Sequence, residues 1–226
     1  VIMQQKYDVV LTNPPYMSLT NGGAKLANYC KKYYPNSKSD LFGVFIEKAL
    51  QMARSNAYIS LITQHSWMFL SSFEKFRAQL VTEACFVSLA HLGVGTFVDL
   101  NSKVVQSVAF VFSKGAIQFY NGSYDRLFER EGFYEDNDEK AKWLVTGKHR
   151  YLAQQDSFRK IPGTPIAYWL SRQMFDIFEH PKLKEIAKPL LGLFTYDNDK
   201  YLRLWFEISV CDIDFCLKSF SEQKRN

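Results

Sequence analysis

Four consecutive residues, Asn13-Pro14-Pro15-Tyr16, directly follow an apolar run that is typical of a β-strand. The side-chain oxygen of Asn13 and the backbone carbonyl of Pro14 can accept hydrogen bonds, and neither proline has an N–H to donate. The ring of Tyr16 offers a π face on which a base can lie. Because loops at the carboxyl ends of strands bind ligands in α/β sheets, this run predicts a pocket for a planar molecule with an exocyclic amine.

Asn-Pro and Pro-Pro also form ordinary turns, so the run has a purely structural interpretation as well. It resembles the fourth motif of amino-methyltransferases that use S-adenosylmethionine, Asp/Asn/Ser-Pro-Pro-Tyr/Phe. The Asn form is most typical of DNA adenine-N6 and protein glutamine-N5 enzymes. The resemblance implies that Asn13, Pro14 and Tyr16 are catalytic and that Pro15 contacts the substrate.

The elements around this run alternate between strands and helices. Strands are predicted at 6–12 (buried), 57–63, 85–92 and 104–112. Ser39 or Asp40 should cap a helix with an apolar stripe, and Ser71-Ser72-Phe73-Glu74 reads as a capping box for the next helix. This alternation favours a doubly wound parallel sheet, with the last strands as an antiparallel edge.

A glycine-rich cofactor loop is expected on strands that precede the Asn13 motif, and only twelve residues precede it here. Gly93 and Gly95 could form such a loop in a circularly permuted enzyme, but a cofactor loop opens a helix and this one leads into a strand. We therefore predict an α/β fold that is part of a Rossmann-like class I methyltransferase sheet. We expect this chain to lack the half of the sheet that carries the cofactor loop. A mixed, mainly helical extension should follow the sheet.

Two phrases in the carboxyl-terminal third sharpen the resemblance. Residues 155–169 contain Phe158, then Ile161-Pro162-Gly163 and Pro165-Ile166-Ala167-Tyr168-Trp169, and residues 192–207 contain Thr195-Tyr196-Asp197-Asn198-Asp199. Both are similar to adenine-specific DNA methyltransferases of the BREX and phage-growth-limitation defence systems. Residues 192–196 differ from the sequence motif expected for that family at this place, so the subfamily stays open.

The resemblance implies that S-adenosylmethionine is the cofactor and that double-stranded DNA with a flipped adenine is the substrate. Other defence-system proteins are implied as possible partners. The flipped base would stack on Tyr16, and Phe97 is a candidate for a second aromatic face, as are Phe110 and Phe112. Asp40 is a weaker candidate for cofactor binding, because a role as a helix cap explains it better.

Composition sets the remaining limits. The chain has 226 residues, of which 47% are hydrophobic, so it can bury a substantial core. Its four cysteines are scattered without metal-ligand spacing, which favours reduced thiols and no metal site. Without an apolar run of membrane-spanning length or a signal-peptide pattern, the expected location is the cytoplasm, with no membrane partner.

Three segments are predicted: the second half of the catalytic domain at 1–120, a polar connector at 121–147, and an extension at 148–226 that leads into the DNA target-recognition region. The net charge of +5 suits a nucleic-acid partner without requiring one. Basic residues after the connector could line a phosphate backbone. They are Lys148, His149, Arg150, Arg159, Lys160, Lys182, Lys184, Lys188, Lys200 and Arg203.

Three functions remain open. The first is a site-specific DNA adenine-N6 methyltransferase, of which this chain alone is expected to be an inactive part. The second is a protein glutamine-N5 methyltransferase, whose amide nitrogen needs the same two acceptors; its chains usually end soon after the catalytic sheet. The third is a DNA-binding or assembly module without catalysis.

Overall fold

The computed structural model describes residues 4–97, 105–187, 197–204 and 206–212. The first of its two compact units, Val1–His180, contains a six-stranded sheet with helices packed on it. The strands are β1 (Tyr7–Thr12), β2 (Ala53–Gln64), β3 (Ala84–Gly93), β4 (Ser107–Lys114), β5 (Asn121–Arg126) and β6 (Arg150–Gln154). The helices are α1 (Gly23–Tyr33), α2 (Leu41–Met52), α3 (Glu74–Glu83), α4 (Asn137–Thr146), α5 (Arg172–Ile177), α6 (Leu183–Ile186) and α7 (Asn198–Tyr201). The four predicted strands are confirmed, with boundaries that shift by a few residues.

The strands lie in the order β1-β2-β4-β3-β5-β6. β1 is parallel to β2 and β3 is parallel to β5, while β4 runs antiparallel between β2 and β3. The carboxyl ends of β1, β2, β3 and β5 therefore lie along one side of the sheet, which we call the carboxyl edge. An antiparallel edge was predicted for the last strands: β6 is such an edge strand, whereas the strand predicted at 104–112 lies inside the sheet as β4. The crossover through α3 leaves a gap between β2 and β3, and the chain fills that gap when it returns as β4.

β1 forms as predicted, but the prediction that it is buried was wrong. Val9 is 63% exposed and Leu11 is 75% exposed. Tyr58, the partner of Val9 on β2, is also exposed. Among the described residues β1 pairs only with β2, and nothing covers this apolar face. Apolar composition predicted a strand here, but burial depends on neighbours that the local sequence does not specify.

The opposite face of the sheet carries the main core. Ile59 and Leu61 of β2 and Phe110 and Phe112 of β4 are buried under α2 and α3. Phe110 and Phe112, considered as second faces for a flipped base, stack on each other with ring centroids 4.1 Å apart. These rings therefore belong to the core. Trp67 is also fully buried, and its indole N–H donates to the Thr63 hydroxyl.

α3 begins differently from the predicted capping box. A short 3-10 turn, Ser71–Phe73, precedes the helix, and no serine side chain caps the first turn of α3. The N-cap residue is Phe73, whose buried ring contacts Phe42 and Phe76. Packing of this aromatic ring, rather than hydrogen bonding by a serine, therefore fixes the start of α3.

The predicted connector at 121–147 is corrected by the structure, because it contains β5 and α4. β5 pairs with both β3 and β6 and so lies within the sheet. The chain divides into two compact units, Val1–His180 and Pro181–Asn226, so the predicted boundaries at 120 and 147 fall inside the first unit. Phe158, Ile166 and Tyr168 explain this division, since all three are buried in the same core as the sheet. The roles predicted for the segments remain predictions.

Arg77 of α3 holds the Ile161 to Trp169 segment against the sheet. Its guanidinium donates to the carbonyls of Gly163 and Thr164, and also to those of Trp67 and Leu70. The side chain is buried, and burial lowers the pKa of Arg77 from its usual value. One cation thus satisfies four carbonyls from two segments that are far apart in sequence.

Candidate active site

The Asn13-Pro14-Pro15-Tyr16 loop leaves β1 at the carboxyl edge. Asn13 and Pro15 are exposed, Pro14 is buried and Tyr16 is half-buried. Within the described part of the chain, neither the Asn13 side chain nor the Pro14 carbonyl has a hydrogen-bond partner. Both acceptors predicted to hold an amine are therefore unoccupied by any described residue.

Asp40, the N-cap residue of α2, fixes this loop. Its Oδ1 accepts hydrogen bonds from the backbone N–H groups of Phe42 (3.3 Å) and Met17 (3.2 Å), and the Met17 carbonyl accepts from Leu41 N (3.0 Å). Burial raises the pKa of the Asp40 carboxyl, and these backbone N–H groups oppose the shift. The predicted cap is confirmed. A role of Asp40 in cofactor binding stays a prediction, although one of its oxygens already serves the backbone.

Replacing Asp40 with alanine should lower the free energy of unfolding by about 1–2 kcal/mol, because an N-cap and the tether to Met17 are both lost. Urea unfolding followed by circular dichroism would measure the change. Asp40→Asn keeps an acceptor at the cap and should retain most of the stability. Equal losses in the two variants would contradict this role.

Tyr16 lies among aromatic and polar groups from three elements. Its ring makes edge contacts with Phe42 of α2 and with Phe97 beyond β3, each with ring centroids 6.2 Å apart. Its hydroxyl is buried near that of Ser107, without a well-formed hydrogen bond to any described residue. Burial raises the pKa of Tyr16, and the interaction with Ser107 opposes the shift. The structure thus brings Phe97 into edge contact with Tyr16, and its role as a second aromatic face for the base stays a prediction.

Gly93 ends β3 and Gly95 follows it; the next described element is β4, and residues 98–104 of the connection lie outside the described residues. Gly95 has a φ of +76°, and a Cβ there would lie 2.4 Å from the Tyr134 ring. Backbone conformation and close packing therefore explain this glycine. The strand-to-strand turn, preferred over a permuted cofactor loop, stays a prediction.

A chain of buried polar side chains at the carboxyl edge was not predicted. His91 of β3 has ring nitrogens 2.9 Å from His65 Nδ1 and 3.0 Å from the Tyr168 hydroxyl. Burial, together with the nearby His65 and Arg126, lowers the pKa of His91 to about 3. A neutral imidazole has one donor and one acceptor, which matches these two contacts. Local sequence gave no signal, because the partners are 26 and 77 residues away.

Acidification should destabilise the fold through His91. Its pKa is near 6.5 in the unfolded chain and about 3 in the folded one, so unfolding takes up a proton as the pH falls below 6.5. The contribution is fully present above pH 6.5, and about 2 kcal/mol of it should be lost on lowering the pH from about 6.5 to about 5. Urea unfolding at both values should show a smaller loss for His91→Gln. An identical pH dependence would contradict a buried, neutral His91.

Five of the ten basic residues predicted to line a phosphate backbone lie beside carboxylates of the protein. Lys148 and His149 lie beside Glu129, and Arg150 pairs with Asp125 at 2.7 Å. Arg159 lies 3.5 Å from Asp156, and Lys160 contacts Asp176 and Glu179. The charges at 148–160 are therefore largely neutralised within the protein. Lys188, like Phe194 and Cys216 in the carboxyl-terminal region, lies outside the described residues.

The described residues contain neither a metal-binding cluster nor a membrane-spanning helix. In the described ranges, no three His, Cys, Asp or Glu side chains converge as a metal site would require. Cys30, Cys85 and Cys211 are free thiols. No helix in that part of the chain has the length and apolar character needed to span a membrane.

Known proteins resemble both the sequence and the fold. Residues 2–97 match the family model of the Eco57I restriction-modification methylase. The methyltransferase subunit of a type I restriction-modification system from Streptococcus thermophilus has 14% identity and a TM-score of 0.50, over 71% of this chain and 37% of that one. A structure of a type I restriction-modification assembly gives 17% identity and a TM-score of 0.55, over 80% and 41%. Over the aligned regions, the chain shares the fold of these restriction-modification proteins.

Two curated relatives are more similar in sequence. The chain is 35% identical to the adenine-specific methyltransferase PglX of Lacticaseibacillus casei (strain Zhang), over 94% of this chain and 18% of that protein. It is also 35% identical to the adenine-specific methyltransferase BrxX of Escherichia coli O9:H4 (strain HS), over 94% and 17%. The chain spans less than a fifth of either relative. The resemblance to adenine-specific methyltransferases of this type is confirmed over nearly the whole chain.

Proposed function

We propose that this chain is the target-amine half of a DNA adenine-N6 methyltransferase that acts in restriction-modification or phage defence. The unoccupied acceptors of Asn13 and Pro14 at the carboxyl edge carry the proposal. Similarity to PglX and BrxX supports adenine over glutamine as the acceptor of the methyl group. The long carboxyl-terminal part also disfavours a glutamine-N5 methyltransferase.

The target adenine must leave the duplex to reach this loop, at a cost of a few kcal/mol. Stacking on Tyr16 offsets about 1–3 kcal/mol of that cost, and Phe97 limits where the base can lie. Phe42 and Ser107 border the Tyr16 ring, which keeps it in place. The rigid aromatic surroundings of Tyr16 thus support a fixed position for the flipped base.

The two hydrogens of the adenine amine would be accepted by the Asn13 side-chain oxygen and the Pro14 carbonyl. These contacts localise electron density on an otherwise poorly nucleophilic nitrogen and orient it for attack. S-adenosylmethionine supplies the methyl group when it is bound. The Asp40 tether to Met17 holds the two acceptors in place, so positioning provides much of the rate enhancement.

The main cofactor loop is proposed to lie outside this chain. The exposed edge and apolar face of β1 support this proposal, because they are suited to pairing with a further strand and its covering helix. Calorimetric titration with S-adenosylmethionine should show binding to the full-length protein that contains this sequence and none to residues 1–226. Binding by residues 1–226 alone would contradict the proposed division.

Transfer of radiolabelled methyl groups tests the activity. The full-length protein should incorporate label from S-adenosylmethionine into unmodified bacterial DNA, and hydrolysis should recover it as N6-methyladenine. Label in protein glutamine would favour the glutamine-N5 alternative. DNA binding without any label would favour the non-catalytic module.

A further inference from the structure

A cavity separate from the Asn13 loop lies along the carboxyl edge, beyond the ends of β3 and β5. It has a volume of about 260 Å³ and lies entirely within the first compact unit. Four aromatic side chains surround it: Phe69, Phe128, Tyr168 and Trp169. Tyr168 and Phe128 are fixed in the core, while Trp169 is 38% exposed. The cavity therefore has rigid walls and an accessible side.

Two charged groups line the same cavity. Arg126 is the last residue of β5, and its buried Nε donates a hydrogen bond to no described residue. Its guanidinium lies 4.7 Å from the centre of the Phe128 ring. Glu131 is exposed and supplies carboxylate oxygens. An unpaired buried donor is costly unless a ligand satisfies it. The cavity thus offers a donor and an acceptor between aromatic surfaces.

These features match one planar heteroaromatic ring with hydrogen-bonding groups at its edge. The volume is near the lower end of small-molecule pockets, about 300–1,000 Å³, so it fits a single ring system better than a larger ligand. Aromatic side chains stack on any base, and an arginine with a carboxylate can pair with the donors and acceptors of a base edge. A nucleobase meets all of these conditions.

The cavity is joined to the Asn13 loop by direct contacts along the carboxyl edge. Tyr16 lies near Ser107, and the neighbouring Gln106 carbonyl accepts from His65 N at 3.0 Å. His65 then contacts His91, which forms the back of the cavity. DNA held at the Asn13 loop would therefore pass close to a second site with the chemistry of a base pocket.

We propose that this cavity binds a second unpaired nucleobase of the DNA, distinct from the target adenine. The inference rests on the proposed function, since it takes DNA as the source of the base. When one base leaves a duplex, its partner and its neighbours lose pairing or stacking contacts. A pocket with both a donor and an acceptor compensates for that loss and favours the opened form of the DNA.

Fluorescence anisotropy with the full-length protein tests the proposal. The probes are a labelled oligothymidine, whose bases are unpaired and include no adenine, and an abasic strand of the same length. We expect oligothymidine to bind with an about tenfold lower Kd than the abasic strand. This ratio corresponds to the free energy of stacking one base. Arg126→Gln and Phe69→Leu should each bring this ratio close to one.

Arg159→Gln is the matched control, because it removes an equal charge from the surface of the same unit. It should keep the tenfold ratio. Arg126→Gln should also melt within a few degrees of the unmodified protein, since it loses the contact with the Phe128 ring but no described hydrogen bond of Nε. A ratio near one in the unmodified protein, or an unchanged ratio in Arg126→Gln, would overturn the proposal.

Thymidine monophosphate distinguishes a free nucleotide from a DNA base. If it binds as tightly as oligothymidine and Arg126→Gln abolishes that binding, the cavity is a free-nucleotide site and the proposal fails. A protein that shows the base preference but transfers no methyl group would overturn only the proposed function. If the protein transfers methyl groups but the affinity ratio of oligothymidine to the abasic strand is the same in Arg126→Gln, only this inference is overturned.

Discussion

Replacing Asn13 with alanine in the full-length protein should reduce the rate of methyl transfer on the order of 10²–10³-fold. The side-chain oxygen is one of two acceptors for the adenine amine, and its contribution is largest when charge develops in the transition state. Single-turnover transfer of labelled methyl groups to DNA would measure the change. DNA affinity should change little, because most of it comes from contacts with phosphates and stacked bases.

Stability separates this effect from misfolding. Asn13 is exposed and its side chain bonds to no described residue, so the variant should melt within the error of the unmodified protein. Asn21→Ala makes the same change in a nearby exposed turn and should leave methyl transfer unaffected. A loss of less than about threefold in Asn13→Ala would contradict the role assigned to this side chain.

Replacing Arg77 with methionine should lower the free energy of unfolding by about 4 kcal/mol or more. The change leaves the carbonyls of Trp67, Gly163 and Thr164 without the arginine donor, while the Leu70 carbonyl still accepts from Phe73 N at 3.1 Å. Each unsatisfied buried group costs about 1–3 kcal/mol. A loss of this size is a large share of the stability of a typical domain. Urea unfolding of residues 1–226, or of the full-length protein, would measure it.

Lys75→Met provides the matched control for Arg77→Met. Lys75 is an exposed cation on the same helix, so its replacement should change stability by no more than about 0.5 kcal/mol. Limited proteolysis should also cut the Ile161 to Trp169 segment faster in Arg77→Met. A destabilisation below about 1 kcal/mol would show that this segment is held by its apolar contacts alone.

The elements that local sequence predicted well are those whose signals are complete within a few residues. The Asn13 motif, the cap at Asp40 and the apolar strands belong to this group. β5 does not, because its sequence is polar and its strand is stabilised by neighbours. Asp125 is buried there with its charge paired to Arg150, which lies directly opposite on β6. A polar segment can therefore be sheet when its charges meet partners across the strands.

The candidate site shows the same division. The sequence predicted Asn13, Pro14, Pro15 and Tyr16 from a motif, and it placed Phe97 among several possible aromatic faces. It could not choose Phe97 over Phe110 and Phe112, because the choice depends on which side of the sheet each ring occupies. His91 was missed for a related reason: its partners His65 and Tyr168 are 26 and 77 residues away in the sequence, and only the fold brings them close.

Mapping of modified bases tests the central claim most directly. Genomic DNA from a host lacking adenine methylation would be sequenced after expression of the full-length protein, and in parallel after expression of Asn13→Ala with any required partner proteins present. The account predicts N6-methyladenine at a defined sequence with the unmodified protein and its loss with Asn13→Ala. Equal methylation by both proteins would contradict the role of the Asn13 loop, and methylation at cytosine alone would contradict adenine as the target.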